Sequence, residues 1–362
     1  MKHTLAVFSM ICMFLWANAQ IFNSSLYSYT DTSFCSKTQL RLDYLGAMKN
    51  NEYFKSLVLG YTLFSNQLQT YFVLPATKKI NLNIGLLYNQ FFGQNKFSLF
   101  PLISLRLHPL PTFKFTFGTL PSSHNMLNQL YGIENTFFHP YQNGAQILYS
   151  TKYSYLEIWT VWKQFIHFND NKPEKIQAGI SWKQTLINSN NLKINAIAQT
   201  TFDHTGGQID TSHTPTTTIF NSAIGLSSEL HLNDLTLSFA YFNLQYKNLT
   251  KTNVYPFLNG SAQLSTVQLL TRHLNLAISY WKAYHFIAPL GQLYEQNYNP
   301  FTHKSENSKN TLNFWLDLHK TWPKQHLSFH LGAYSFYNLP TSHLDYGYYF
   351  HFIYHFRLTV NK

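Results

Sequence analysis

The chain has 362 residues and a formal net charge of +11, yet only 11% of its residues are charged while 17% are aromatic. Soluble globular domains carry about 25% charged residues. The composition therefore disfavours an ordinary soluble domain. It favours a protein whose outer surface lies against lipid, where aromatic residues collect at the two interfaces.

The N-terminus has the pattern of a secretory signal peptide. A lysine and a histidine precede an apolar run from Leu5 to Trp16, which ends in Ala17-Asn18-Ala19. A basic start, a short apolar middle and small residues at the cleavage positions are typical of such signals. A retained anchor helix is the alternative, but the run is shorter than the roughly 20 residues of a spanning helix. We predict a signal peptide at residues 1–19, Sec-type export, and a periplasmic lead-in at residues 20–37.

The mature chain would keep a single cysteine, because the signal peptide contains Cys12 and only Cys35 follows it. An intramolecular disulfide framework and a cysteine-rich metal site are therefore excluded. No stretch after Gln20 approaches the roughly 18 consecutive apolar residues of a spanning helix. A closed β-barrel is the remaining way to satisfy backbone groups inside a bilayer.

Apolar and polar residues alternate with period two along nearly the whole chain. In the last segment Tyr348, Phe350 and Phe352 share one face, whereas His351 and His355 share the other. Successive side chains of a strand point to opposite faces, so we predict that the first set faces lipid and the second faces the lumen. An amphipathic helix would instead place apolar residues at i, i+3 and i+4.

The alternating segments are long enough to cross a bilayer. Most run about 9 to 13 residues, as a tilted spanning strand requires, whereas strands of globular proteins, including a soluble β-sandwich, are usually about 5 to 6 residues long. In chain order the segments lie at 38–48, 55–65, 67–75, 79–89, 97–108, 111–119, 143–152, 154–165, 175–186, 192–203, 218–230, 234–246, 260–271, 273–286, 310–320, 325–337 and 346–360.

This number of segments is odd, whereas single-chain bacterial barrels usually have an even number of strands. Either segment 38–48 is a periplasmic lead-in, or the region 55–75 is one interrupted strand. We predict an all-β fold: a single antiparallel, up-and-down transmembrane β-barrel at residues 38–362, with about 16 strands and a range of about 14 to 18.

The connections between segments alternate between short and long. Barrels of this kind have short periplasmic turns and longer extracellular loops. The long stretches are 120–142, 204–217, 247–259 and 287–309, and they are rich in turn-forming and polar residues. We expect these four stretches to form exposed extracellular loops.

Two segments carry a resemblance to a known group of proteins. Phe117-Gly118-Thr119-Leu120-Pro121 is followed by His124, and a later strand contains Glu157, Trp159 and Trp162. These segments resemble patterns in porin-like outer-membrane β-barrels that are common in Bacteroidota and have no defined activity. The resemblance covers the whole chain and implies location in a Gram-negative outer membrane and insertion by the barrel-assembly machinery.

Charged and aromatic side chains share the predicted inward faces. Rings of basic side chains inside a pore can select for anions, and flat aromatic rings can hold sugars, although bulky inward side chains also fill a medium-sized barrel. The candidate lumen-facing residues are Arg41, Arg106, His108, Lys114, Glu157, Trp159, Trp315, Asp317, His319, His330, His351, His355 and Arg357.

A catalytic site and a metal site have weaker support in the sequence. Ser122, Ser123, His124 and Asn125 lie beside a long loop that contains Glu134. Nucleophilic catalysis needs a base within hydrogen-bond reach of the hydroxyl, and adjacency in sequence does not supply that. His319 and His330 could pair across neighbouring strands. We predict no catalytic, cofactor-binding or metal-binding residues and no cofactor.

The composition and pattern together predict a porin-like channel for passive or weakly selective passage of small solutes, with anions and saccharides as candidates. They predict that the protein is not an enzyme. The alternatives are a closed structural or accessory barrel in an envelope complex and an outer-membrane barrel hydrolase. The expected partners are outer-membrane lipid, lipopolysaccharide, the barrel-assembly machinery and small solutes. Nucleic acid is not expected outside the cell, and the sequence leaves the oligomeric state open.

Overall fold

The structure, a computed structural model, describes residues 36–54 and 56–360. The predicted signal peptide at 1–19 and most of the predicted lead-in at 20–37 lie outside the described residues. Within them, the predicted barrel is confirmed. Sixteen antiparallel strands each pair with their neighbours in the chain, and the last strand closes the sheet against the first.

The connections contain a four-residue helix, α1 (Asn135–Phe138), and two 3-10 turns (Leu293–Glu295 and Pro323–Gln325). No helix among the described residues is long and apolar enough to cross a membrane. The strands are β1 (Gln39–Glu52), β2 (Thr62–Thr77), β3 (Ile80–Phe91), β4 (Phe97–Leu110), β5 (Phe113–Pro121), β6 (Tyr141–Ser150), β7 (Ser154–Gln164), β8 (Lys175–Asn188), β9 (Leu192–Thr205), β10 (Thr217–Leu232), β11 (Leu235–Asn248), β12 (Asn259–Leu270), β13 (Leu274–Tyr284), β14 (Ser308–Trp322), β15 (Leu327–Asn338) and β16 (His343–Thr359).

The first two strands decide between the two alternatives for the strand count. β1 is a full wall strand that pairs with β16 and β2, so the segment at 38–48 is not a lead-in. The segments at 55–65 and 67–75 are replaced by the single strand β2, which keeps one continuous register against β1 from Thr62 to Val73. The described residues between Glu52 and Thr62 belong to the connection from β1.

The two faces of the wall differ as the alternation predicts. In β16 the side chains of Tyr348 and Leu358 are 44% and 49% exposed, whereas those of Tyr349 and His351 are 6% and 5% exposed. Because the sheet is closed, the backbone N–H and C=O groups of the wall are paired between strands. An apolar outer face without an open sheet edge is what a bilayer demands.

Large inward aromatic rings lie across glycines on the neighbouring strand. Trp159 pairs with Gly179, and Tyr349 pairs with Gly332. A Cβ atom built at Gly179 would lie 2.6 Å from the Trp159 ring, and one at Gly332 would lie 2.2 Å from the Tyr349 ring. Because glycine has no side chain, both rings can lie flat against the next strand. A larger residue at either glycine would displace the ring.

Two long connections turn inward and fill the lumen: residues 122–140 between β5 and β6, and residues 285–307 between β13 and β14. The prediction that the stretches 120–142 and 287–309 are exposed is wrong. The reason is their irregularly spaced apolar residues, which pack against inward-facing wall residues. The buried apolar residues of the two loops include Met126, Leu127, Leu130, Tyr131, Ile133, Phe137, Phe286, Ile287, Ala288 and Leu290.

Amide side chains on the wall satisfy the backbone of the inserted loops. The Gln199 Oε1 atom accepts a bond of 2.8 Å from the backbone N–H of Leu127. Asn221 Nδ2 donates over 2.7 Å to the carbonyl of Ile287. A loop inside a barrel has no strand partner, and an unpaired buried backbone group is costly. Inward-facing glutamine and asparagine therefore hold the loops in place.

We expect Gly179→Ala to lower the free energy of unfolding by about 1–3 kcal/mol, the usual cost of overpacking, because the added methyl group would displace the Trp159 ring. Urea-induced unfolding of the protein in lipid vesicles, followed by tryptophan fluorescence, measures this change. Ala333→Val is the matched control, since it adds volume to an exposed position on the outer face. Equal stability of the two variants would contradict this account.

Candidate functional site

A buried histidine–glutamate pair joins the first inserted loop to β7. The Nδ1 atom of His124 lies 2.7 Å from Oε1 of Glu157, and both side chains are buried. The Trp159 indole, two residues after Glu157 on the same inward face, stacks on the imidazole with ring centroids 4.0 Å apart. The Tyr131 ring meets the imidazole edge-on at 5.0 Å. These contacts fix the orientation of the histidine ring.

The Glu157 carboxylate accepts four hydrogen bonds. Besides His124, its Oε1 atom accepts from Gln146 Nε2 at 2.8 Å. Its Oε2 atom accepts from the backbone N–H of Asn125 at 3.1 Å and from the Tyr155 hydroxyl at 2.9 Å. An ionised carboxylate has about four acceptor sites and no donor, so these four contacts suit an ionised Glu157, to which a neutral His124 donates from Nδ1.

The other ring nitrogen of His124 is available for chemistry. With the proton on Nδ1, the lone pair of the neutral imidazole lies on Nε2. This atom is buried and has no hydrogen-bond partner among the described residues. A buried polar atom without a protein partner is a position that water or a ligand can complete. A carboxylate that orients a histidine in this way is the arrangement of a general base.

The structure gives different partners to the residues that lie close together in this part of the sequence. Ser122 donates its hydroxyl to a backbone carbonyl over 3.3 Å, and Glu134 forms an ion pair with Lys49 on β1. The acid that orients His124 is therefore Glu157, not Glu134. No sequence motif connects these two residues, because one lies in a loop and the other on a strand that meets it only inside the barrel.

A cavity of about 400 Å³ lies beside the contact between the two inserted loops and is lined mostly by apolar residues. Lys49 and Glu134 supply its one ion pair. Burial opposes ionisation of Glu134, but the Lys49 ammonium and hydrogen bonds hold the pKa of Glu134 below its usual range. Leu290 lines this cavity and also belongs to the apolar cluster that contains Tyr131 and Trp159, the two rings that contact His124.

The second inserted loop carries a buried carboxyl group, Glu295. Its Oε1 atom accepts from Gln129 Nε2 at 3.0 Å and from Asn313 Nδ2 at 3.2 Å. Its Oε2 atom has no hydrogen-bond partner among the described residues. Burial raises the pKa of Glu295 to about 7. The loop is therefore inserted with a carboxyl group that is protonated in weakly acidic solution.

We expect insertion of this loop to weaken as the pH rises from about 4.5 to about 7. The ordinary pKa of glutamate is 4.5, so Glu295 loses its proton at a lower pH when the loop is exposed than when it is inserted. The free energy that favours insertion therefore falls between about pH 4.5 and pH 7 and is constant above pH 7. Limited proteolysis within residues 285–307 at pH 5 and pH 8, normalised to an unfolded peptide, measures the change.

Glu295→Gln should remove the pH dependence, and Glu306→Gln, on the same loop, should retain it. Equal pH dependence in wild type and Glu295→Gln would show that another group controls insertion.

The remaining candidate lumen residues lie in other groups along the wall. The Trp315 ring packs edge-on against Phe336 with centroids 5.8 Å apart. The clustered group on β14–β16 comprises Asp317, His319, His330 and His351. A third, basic group lies towards the end of the barrel that carries the short turns, where Asp43 pairs with two of its members. Its members are Arg41, Arg106, His108, Lys114, His355 and Arg357.

A family model described as lipid A 3'-O-deacylase-type matches residues 30–362. The chain belongs to this family. The match includes His124, Glu157 and both inserted loops. Because the family is an enzyme family, the prediction that the protein is not an enzyme is wrong. The deacylase-type barrel has no match among curated proteins.

Solved outer-membrane proteins share the fold of this deacylase-type barrel. OprD from Pseudomonas aeruginosa has a TM-score of 0.54 at 9% identity, with 95% of this chain and 98% of that chain covered. OpdK from Pseudomonas aeruginosa has a TM-score of 0.54 at 9% identity, with 90% and 100% covered. A loop L8 deletion mutant of OmpT from Vibrio cholerae has a TM-score of 0.54 at 10% identity, with 88% and 99% covered. These similarities show an outer-membrane barrel fold and support the predicted location; they say nothing about substrate.

Proposed function

We propose that this member of the lipid A 3'-O-deacylase-type family hydrolyses an ester bond between an acyl chain and lipid A. The family supports the class of reaction. The observation that carries the proposal is the unpartnered Nε2 atom of His124, which belongs to an imidazole oriented by an ionised Glu157. The site lies inside a barrel whose outer face is apolar, so enzyme and lipid substrate share one membrane.

The chemistry uses water as the nucleophile. No serine hydroxyl of the described residues hydrogen-bonds to Nε2 of His124. Nε2 accepts a proton from water as the water oxygen attacks the ester carbonyl carbon. When the ester C–O bond breaks, the imidazolium returns that proton to the leaving sugar oxygen, which yields a free fatty acid and a hydroxyl group. Glu157 keeps the ring in the required tautomer and stabilises the imidazolium.

The cavity beside the inserted loops offers the substrate an approach to this site. Its lining includes Phe138, Leu290 and Phe301, which suit an acyl chain. His124 itself is fully buried beneath Tyr131. The substrate therefore reaches Nε2 when the packing around Tyr131 and Leu290 opens, while His124 keeps its hydrogen bond to Glu157 on β7.

Expression in a Gram-negative host with unmodified lipid A, followed by mass spectrometry of the extracted lipid A, tests the proposal. Wild type should produce lipid A that has lost one ester-linked acyl chain. His124→Ala and Glu157→Gln should lower the rate by at least about 100-fold, the lower range for loss of a general base. Ser122→Ala should retain activity, because its hydroxyl bonds to a backbone carbonyl.

His204→Ala serves as the matched histidine control, because His204 hydrogen-bonds to Thr218 on a different part of the wall. Heat-modifiable mobility in gels shows that each variant is folded. Unchanged lipid A with folded wild type, or full activity of folded His124→Ala, would reject the proposed site.

Passage of small solutes is a second candidate function. The observation that favours it is the basic group at the short-turn end, in which Arg106 and Lys114 lie on adjacent strands and Arg357 pairs with Asp43. Basic side chains that line a pore favour anions. The inserted loops fill the lumen towards the other end, so any path through the described barrel is narrow.

In planar bilayers we expect low single-channel conductance from wild type and higher conductance from a variant in which a short glycine–serine linker replaces residues 123–139. Salt gradients across the bilayer should reveal anion preference, and Arg106→Glu should reduce it. Heat-modifiable mobility again confirms folding. A folded loop-replacement variant that conducts no ions would argue against passage through this lumen.

A further inference from the structure

A second cluster of imidazole and carboxylate groups lies on β14 and β15, apart from the proposed ester-hydrolysis site. Asp317 and His319 are two residues apart and share the inward face of β14. His330 lies directly opposite His319 in the strand register. The Nδ1 atoms of His319 and His330 lie 3.2 and 3.1 Å from the same atom, Oδ1 of Asp317.

This spacing matches the donor atoms of a metal site. Ligand atoms of the three side chains all lie within 4.8 Å of one another. Around a tetrahedral zinc ion with bonds of about 2.0–2.1 Å, neighbouring donor atoms are about 3.3–3.4 Å apart. The observed distances of 3.1 and 3.2 Å are close to that value. Two imidazoles and one carboxylate are a donor set for first-row divalent transition metals, with a further position left for water.

The surroundings hold the carboxylate in place. The Tyr349 hydroxyl donates to Oδ2 of Asp317 over 2.6 Å, and Oδ1 faces both histidines; Nδ1 of His330 lies 3.3 Å from Oδ2 as well. Gly332, opposite Asp317 in the register, provides the space in which the Tyr349 ring lies. Hydrogen bonds from such neighbours orient metal-binding side chains. The His351 ring stacks on His330 with centroids 4.5 Å apart and restrains its rotation.

An ion can reach this cluster from solvent. The side chains of His319, His330 and Asp317 are 25%, 11% and 9% exposed, in contrast to the fully buried His124. His319 lies three residues before the end of β14, and His330 three residues after the start of β15, so both lie near the short turn that connects these strands.

We propose that Asp317, His319 and His330 bind one divalent first-row transition metal ion inside the barrel. The two histidines ligate through Nδ1 and carry their protons on Nε2, and the carboxylate ligates through Oδ1. This inference does not depend on the proposed hydrolysis of lipid A, because it concerns different residues and a different ligand.

Titration of the refolded, tag-free and metal-stripped full chain in detergent with Co²⁺ and Zn²⁺ tests the inference. We expect one ion per chain by calorimetry and visible absorption bands of four-coordinate Co²⁺. His319→Ala and Asp317→Asn should each weaken binding by about tenfold or more. The partial exposure of His319 and the near-isosteric Asp317→Asn change keep both variants close to the wild-type fold.

His355→Ala is the matched control, because His355 also pairs with an aspartate, Asp43, on another part of the wall. This variant should bind Co²⁺ as wild type does. Heat-modifiable mobility establishes that each variant is folded. The assignment would be overturned if wild type bound Co²⁺ no more tightly than folded His319→Ala does. It would also be overturned if His355→Ala lost as much Co²⁺ affinity as His319→Ala.

Discussion

The structure depends on one constraint: backbone N–H and C=O groups away from water need partners within the protein. The wall meets this constraint through sixteen strands that close on themselves. The inserted loops cannot use a strand partner, so they rely on inward-facing amide side chains such as Gln67, Gln199 and Asn221. The polar alternate positions of the strands therefore serve as partners for the loop backbone as well as lining a lumen.

The candidate active site exists only because the first loop is inserted. His124 comes from that loop, whereas Glu157 and Trp159 come from β7. Gly179 on β8 leaves the space that the Trp159 indole occupies, and the His124 imidazole stacks on that indole. Loop insertion, aromatic packing and histidine orientation are thus coupled, so each stabilises the others.

The two ends of the lumen have different chemistry. Towards the long loops, mostly apolar residues line a cavity, and the buried His124–Glu157 pair lies apart from that cavity, against the wall. Towards the short turns, histidines and arginines remain nearer to solvent. The fold alone does not decide between these chemistries, because function depends on the side chains that a barrel presents.

The sequence by itself determined the barrel, because period-two alternation and strand length are local properties that follow from a strand with lipid on one side. Local pattern also placed Glu157, Trp159 and the histidines of β14–β16 on inward faces. Only the tertiary structure decided that two loops enter the lumen and that His124 meets Glu157 rather than Glu134. Those contacts join residues far apart in the chain, and they form because irregular apolar residues in the loops gain more by burial inside the barrel than by exposure to water.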